Sequence, residues 1–331
     1  MSKLLSLFFG LCVAGSIGVA WAAESQTLRY GIGPGDGGLS ALPLSIAQQQ
    51  GFFAREGIDL EFVRRAGPMP MDTVNLLFDA LENGEIDMMR TQIGFMIVRV
   101  LNGADFVAVS GSTMNPVYTL ISRPEIERFD DLKGNSVCLT LADDAITLSM
   151  RKLMENRGIE PGDIRVLLVQ GSGTRLDSLM SGECVAAPVG QPTDFFAVES
   201  GYHRLGISND VPLLSMVDAI SAQWGRSHQD LVVRYIRASA DAMRLINDRE
   251  NAATVRPVIM ELTGTSEAVA DQILEFYYDP NLRVLPREAE IDMDALTRMI
   301  VLMDEYEKLP PDHPSAESFV DLRFLEAAGI H

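Results

Sequence analysis

Short apolar runs of strand length alternate with segments of helical periodicity from residue 28 to about residue 122, and near residue 135 the alternation begins again. Strands separated by helices of ten or so residues form crossover units, and such units build a mainly parallel sheet, so this pattern restricts the fold more than any other feature. In the first set, residues 28–32, 58–63, 86–89, 106–110 and 117–122 read as strands. Between them Val74, Leu77, Phe78 and Leu81 recur at i, i+3, i+4 and i+7 and predict an amphipathic helix over 71–83, stopped by Gly84. Ile93, Met96, Ile97, Val100 and Leu101 predict a second, and Pro43 opens an earlier one. In the second set the strands are 135–141, 164–169 and 184–189; the helices are 174–181, 192–200 and one capped by Asp143 or Asp144 that runs to 157. From residue 227 onward only helices are predicted, over 230–247, 251–262, 266–277 and 294–308. The expectation is an α/β chain of two doubly wound lobes. The terminal helices return to the first lobe, which takes residues 23–122 and 215–331 and leaves 123–214 as the second.

The first residues carry one cation, Lys3, then an apolar run broken by Gly10, Gly15 and Gly18 that ends in Ala20-Trp21-Ala22. That is the pattern of a secretory signal, residues 1–22, cleaved near Ala22, and it predicts export to the periplasm. The run is shorter than the roughly 20 apolar residues of a spanning helix, and no later stretch reaches that length, so direct membrane insertion is not expected. Cys12 lies inside the run and not at its end, which argues against a lipoprotein. The net charge of −19 repels nucleic acid and anionic lipid, so neither is an expected partner, but it says nothing about the pocket. Cys138 and Cys184 fall in apolar strand-like segments and read first as two buried free thiols; a bridge would need their Cα atoms within about 7 Å.

Catalytic signatures are missing from the sequence. There is no GxSxG, HExxH or P-loop, and no nucleotide-binding GxGxxG, because the glycine-rich stretch Gly31-Ile32-Gly33-Pro34-Gly35 is too proline-rich and lacks the helix start that a dinucleotide turn needs. Lysine is confined to Lys133, Lys152 and Lys308 after the signal, against Schiff-base chemistry. His203, His228, His313 and His331 have no paired spacing, so neither a metal nor a cofactor is expected.

What remains is a binding architecture. In open α/β sheets ligands settle beyond the carboxyl ends of strands, where loops and helix N-termini present free N–H groups. Here those positions are 35–42, 67–72, 90–92, 110–113, 142–145, 170–174 and 188–191. The candidate ligand residues are Asp36, Gly37, Ser40, Met69, Met71, Arg90, Thr91, Gln92, Ser110, Ser112, Asp144, Ala145, Gln170, Ser172 and Gln191. Arg90 follows a buried strand directly; it either clamps a carboxylate or sulfonate or pairs with Asp87. Asp36 either accepts an amine or shapes a turn, and Met69, Met71, Met88, Met89 and Met114 offer an adaptable apolar wall, with core packing the alternative for Met88 and Met89. Aromatic residues are sparse in these loops, which disfavours a stacked heterocycle.

Pro43-Leu44-Ser45-Ile46-Ala47, followed by Gly51-Phe52-Phe53-Ala54-Arg55-Glu56-Gly57-Ile58-Asp59-Leu60, resembles the opening signature of the nitrate, sulfonate and taurine group of ABC solute-binding proteins, which includes thiamine-pyrimidine-precursor binders. The resemblance continues through Asn83-Gly84-Glu85-Ile86-Asp87, Asp130-Asp131-Leu132-Lys133-Gly134, and Gly182-Glu183 leading to Ala187-Pro188; Cys184-Val185-Ala186-Ala187 departs from the common Val-Asp-Ala. It implies a type II periplasmic binding protein fold whose two lobes are joined by two crossover segments, near Ser122 and near 215–222. It further implies a monomeric, non-enzymatic receptor that closes on a small-molecule solute and hands it to an inner-membrane ABC permease. With Arg90 and the neutral donors, the expected solute is a small organic anion; a pyrimidine or other heterocycle, a sensory receptor and a periplasmic enzyme are the alternatives.

Overall fold

The computed structural model describes residues 25–33, 38–142, 144–306 and 309–331; the expected signal segment, Asp36 and Gly37 lie outside them. Ten strands are present among the described residues. They are β1 (Gln26–Ile32), β2 (Ile58–Arg64), β3 (Met88–Gln92), β4 (Phe106–Thr113), β5 (Thr119–Ser122), β6 (Ser136–Leu139), β7 (Arg165–Leu168), β8 (Ala186–Val189), β9 (His203–Ile207) and β10 (Met216–Ser221). They form two five-stranded sheets, β2-β1-β3-β10-β4 and β7-β6-β8-β5-β9.

The two sheets share one plan. In the first, β1 runs parallel to β2 and β3, and β10 enters antiparallel between β3 and β4. In the second, β6 runs parallel to β7 and β8, and β5 enters antiparallel between β8 and β9. Each antiparallel strand is the one reached by a crossing of the chain from the other sheet. This is the type II periplasmic binding protein fold, two doubly wound lobes joined by two crossover segments. The expected lobe boundary at 122 leaves β5 with the first lobe, but β5 belongs to the second sheet. The crossings are therefore residues 114–118 and 208–215. They are hydrogen-bonded to each other, Tyr118 N to Ser208 Oγ at 2.9 Å and Leu213 N to Asn115 Oδ1 at 3.1 Å.

Burial follows strand position. Edge strand β2 alternates, whereas β5, β6 and β8 in the middle of their sheet are buried along their whole length. The first lobe has one continuous apolar core that joins Leu28, Met88 and Val217 of the sheet to Ile236, Ile259 and Leu296 of the terminal helices. Helix Gln229–Asn247 brings Tyr235 onto the rings of Tyr30 and Phe53, at 5.9 and 5.6 Å between centroids.

The second lobe has two thin layers, one on each face of its sheet. Leu120, Val137 and Leu139 lie on one face, and Ile121, Cys138 and Val189 on the other. Cys138 and Cys184 are not free thiols: they form a disulfide with Cα atoms 5.8 Å apart. Parallel pairing of β6 with β8, extended by Val185 N to Ser136 O at 2.8 Å, brings together two residues 46 positions apart in sequence.

Candidate functional site

A cavity of about 170 Å³ lies between the two lobes, beside the crossings. The first lobe lines it with Leu39, Ser40, Pro43, Gln92, Thr113 and Met216; the second adds Ile146, Gly190 and Gln191, and the crossings add Asn115 to Tyr118 and Ser215. The volume is close to the roughly 150 Å³ cavity that accepts a benzene ring.

Its polar wall is assembled from both lobes. Gln92, at the end of β3, donates through Nε2 to Oδ2 of Asp144 at 2.9 Å. Asp144 caps helix Ala145–Glu155 of the second lobe, its Oδ1 accepting Ile146 N at 2.7 Å. Burial raises the Asp144 carboxyl above the usual carboxylate range, against the Ile146, Thr140 and Gln92 hydrogen bonds and the charge of Arg175, all of which lower it. Thr91, the residue before Gln92, is buried and outside the cavity lining, whereas Gln191 reaches Asp194 Oδ2 at 3.3 Å. Ser172 Oγ accepts Gly190 N at 3.1 Å and fixes the lining segment. A Cβ on Gly190 would stand 3.1 Å from the Tyr118 ring, so a larger residue there would make the ring shift by a few tenths of an ångström. Burial also raises the Tyr118 phenol.

Its apolar wall comes from a part of the chain that loop reasoning did not reach. Ile273, Phe276 and Tyr277 of helix Glu267–Tyr278, with Val284 and Leu285 just after it, line the cavity. Hydrogen bonds stitch this segment to the end of β4 and the first crossing: from the backbone, Met114 N to Val284 O at 2.9 Å and Gly111 N to Ala289 O at 2.9 Å, and from a side chain, Asn115 Nδ2 to Leu282 O at 2.7 Å. At Gly111 a Cβ would stand 2.3 Å from Glu290 O, so the close approach requires glycine. The cavity therefore has an aromatic wall of Tyr118, Phe276 and Tyr277, contrary to the expectation of sparse aromatics. Phe276 also meets Phe195 of the second lobe, with ring centroids 5.6 Å apart.

Of the residues expected at a ligand site, Ser40, Gln92 and Gln191 line the cavity, and Asp144 and Ser172 stand directly behind it. Asp36 and Gly37 lie outside the described residues, and the others are away from the cavity. Residues 90–92 and 110–113 are not loops: β10 supplies hydrogen-bonding partners that carry β3 to Gln92 and β4 to Thr113. Arg90, Thr91, Ser110 and Ser112 are thereby buried. Ser110 and Tyr30 donate to Asp218 at 2.8 and 2.5 Å, and Asp218 faces Arg90 across the ladder. Arg90 donates to the Ser40 carbonyl. It does not pair with Asp87, which is held by Arg29 through Nη2 at 2.5 Å and Nε at 3.0 Å. Burial pushes the Asp218 carboxyl up, against the hydrogen bonds of Tyr30 and Ser110 and the charge of Arg90. Met69 is exposed at the start of helix Pro70–Glu82, and Met71 packs on the first-lobe core. Ala145 is buried beneath its helix, and Gln170 is half-buried outside the cavity lining.

The family description NMT1/THI5 like matches residues 40–246, more than half of the chain. The chain belongs to the NMT1/THI5-like family. Comparison by sequence with curated proteins finds no match. Among solved structures, the ligand-binding component of an ABC-type import system from Staphylococcus aureus with zinc bound superposes with a TM-score of 0.74 at 15% identity, over 92% of this chain and 99% of that one. The alkanesulfonate-binding protein SsuA from Xanthomonas axonopodis pv. citri bound to MOPS gives 0.68 at 17% identity, over 91% and 100%. The desulfurization enzyme DSZB gives 0.64 at 17% identity, over 91% and 98%. At these identities the likeness establishes the fold. Among the described residues no helix is long and apolar enough to cross a membrane.

Proposed function

We propose that the chain is the periplasmic solute-binding component of an ABC importer: a monomer, exported by its N-terminal signal, that closes on one small molecule and delivers it to an inner-membrane permease. The observation that carries this reading is the position of the cavity. It is walled by both lobes and lies against the paired crossings, where a rotation of one lobe on the other opens or seals it. The binding-protein relatives on the same fold support it. An anion clamped by Arg90 gains no support from the geometry, because Arg90 is outside the cavity lining and donates to the Ser40 carbonyl. Catalysis is the second reading, favoured by the likeness to DSZB.

The test begins with protein isolated from its own host. Solute released by denaturation is identified by mass spectrometry and returned to the stripped protein, with spin labels at the exposed Leu76 of the first lobe and Met180 of the second. Binding is expected to change the inter-label distance and to raise the ATPase rate of the reconstituted permease. Conversion of the solute to a product, or binding with no change in distance, would overturn the receptor reading.

A further inference from the structure

We infer that the solute is uncharged and ring-sized, and that Asp144, behind the Gln92 amide, is what selects against anions. This rests on the receptor reading above and departs from the sulfonate-binding relative.

Among the described residues, no Asp, Glu, Lys, Arg or His side chain lines the cavity. An ion enclosed there loses its water and meets no opposite charge among the described lining residues, and burying an unpaired charge is far more costly than burying a hydrogen-bonded neutral group. The donors that could serve an anion in a neutral site include the hydroxyls of Ser40, Thr113 and Ser215 and the N–H groups of three amides. Each of the three lining amides already donates to the protein: Gln92 to Asp144, Asn115 to Leu282 O and Gln191 to Asp194. Arg175, the buried cation of the second lobe, is taken up by Pro188 O at 2.6 Å, Val169 O at 3.1 Å and Ser172 Oγ at 3.3 Å.

The carboxylate of Asp144 adds a directional term. It fixes the Gln92 amide with its N–H toward the second lobe, and it places a negative group one hydrogen bond behind the wall. Gln92 Oε1 is a buried acceptor with no donor among the described residues. Tyr118, Phe276 and Tyr277 supply aromatic surface around a volume that fits one ring with a small substituent.

Calorimetry on the stripped full-length protein with three matched pairs tests the inference: benzamide and benzoate, nicotinamide and nicotinate, benzenesulfonamide and benzenesulfonate. The uncharged member of a pair is expected to bind about tenfold or more tightly than its anionic mate, as an unpaired buried charge requires. Asp144→Asn keeps the helix cap and removes the charge. It is expected to shrink the preference several-fold by strengthening the anion, whereas loss of a merely structural role weakens both members alike. Anions bound as tightly as their mates, or an unchanged ratio in Asp144→Asn, would overturn the inference and leave the receptor reading standing. If no probe binds, the charge of the solute released from native protein decides: uncharged supports the inference and charged overturns it. If nothing binds and nothing is released, the receptor reading fails and takes the inference with it.

Discussion

The two lobes follow one strand plan and are stabilised differently. The first closes a single large core with helices that arrive more than a hundred residues after its opening strands, and at its centre it buries Asp218 among Tyr30, Ser110 and Arg90. The second has no such cover. Its sheet carries a thin apolar layer on each face, and the Cys138–Cys184 disulfide ties β6 to the segment entering β8, within the layer that holds Ile121, Leu179 and Val189. A small unit buries a smaller share of its surface, so a covalent link contributes proportionately more to it. A large core tolerates a buried polar cluster provided that every member is satisfied.

That contrast is open to measurement. The largest effect is expected from Asp218→Ala, which strips an acceptor from two buried hydroxyls and leaves Arg90 without the carboxylate it faces. Removing one member of such a cluster costs about 3–5 kcal/mol, read by denaturant unfolding, with Asp218→Asn far milder. A loss below about 1 kcal/mol would mean that the cluster is solvated and the contrast is mistaken. Next comes the disulfide: closing a 46-residue loop stabilises by roughly 3–4 kcal/mol. Cys138→Ala/Cys184→Ala is expected to lower a transition assigned to the second lobe by that amount while first-lobe amides keep their hydrogen-exchange protection.

A smaller, pH-dependent effect belongs to Asp194 in the second lobe. It accepts from Thr119 Oγ1 at 2.7 Å and lies 3.4 Å from Arg204, yet burial raises its carboxyl above the ordinary range against both. The folded state therefore keeps this proton to higher pH than the unfolded chain. The associated stability is present below the unfolded value and lost as pH rises through the raised one. Asp194→Asn is expected to remove that slope, so the stability difference between wild type and variant drifts with pH in this window by about 1.4 kcal/mol per pKa unit of the shift. A difference independent of pH would sink the assignment. The smallest effect is at the seam between lobes, where Tyr306 donates to Glu155 at 2.5 Å and Lys152 meets Glu305 at 3.3 Å on a partly exposed surface. Tyr306→Phe is expected to cost no more than about 1 kcal/mol and to shift the inter-label distance slightly toward the open form.

Much of the fold was legible because its cues are local. Val74, Leu77, Phe78 and Leu81 mark the helix Pro70–Glu82 by spacing alone, and Asp144 caps its helix as a short acceptor side chain should. The candidate site was legible only in part, at Ser40, Gln92 and Gln191, which sit near strand ends and helix starts where the topology predicts a ligand. Arg90 misled because the strand it follows continues once β10 pairs beside it, and β10 begins 126 positions later (216 − 90). The aromatic wall was invisible for the same reason. Phe276 and Tyr277 belong to an ordinary amphipathic helix, and only the hydrogen bonds of the segment after it to Gly111, Met114 and Asn115 bring that helix to the cleft.

By itself, then, the sequence determined two α/β units, their helices and the polar side of the cleft, because periodicity, caps and turn residues act within a few positions of one another. The tertiary structure decided which cation is spent inside a core, which thiols meet, and which distant helix supplies the wall against which a ring would lie. Those outcomes depend on strand pairing and packing between residues dozens to hundreds of positions apart, and no local pattern encodes them.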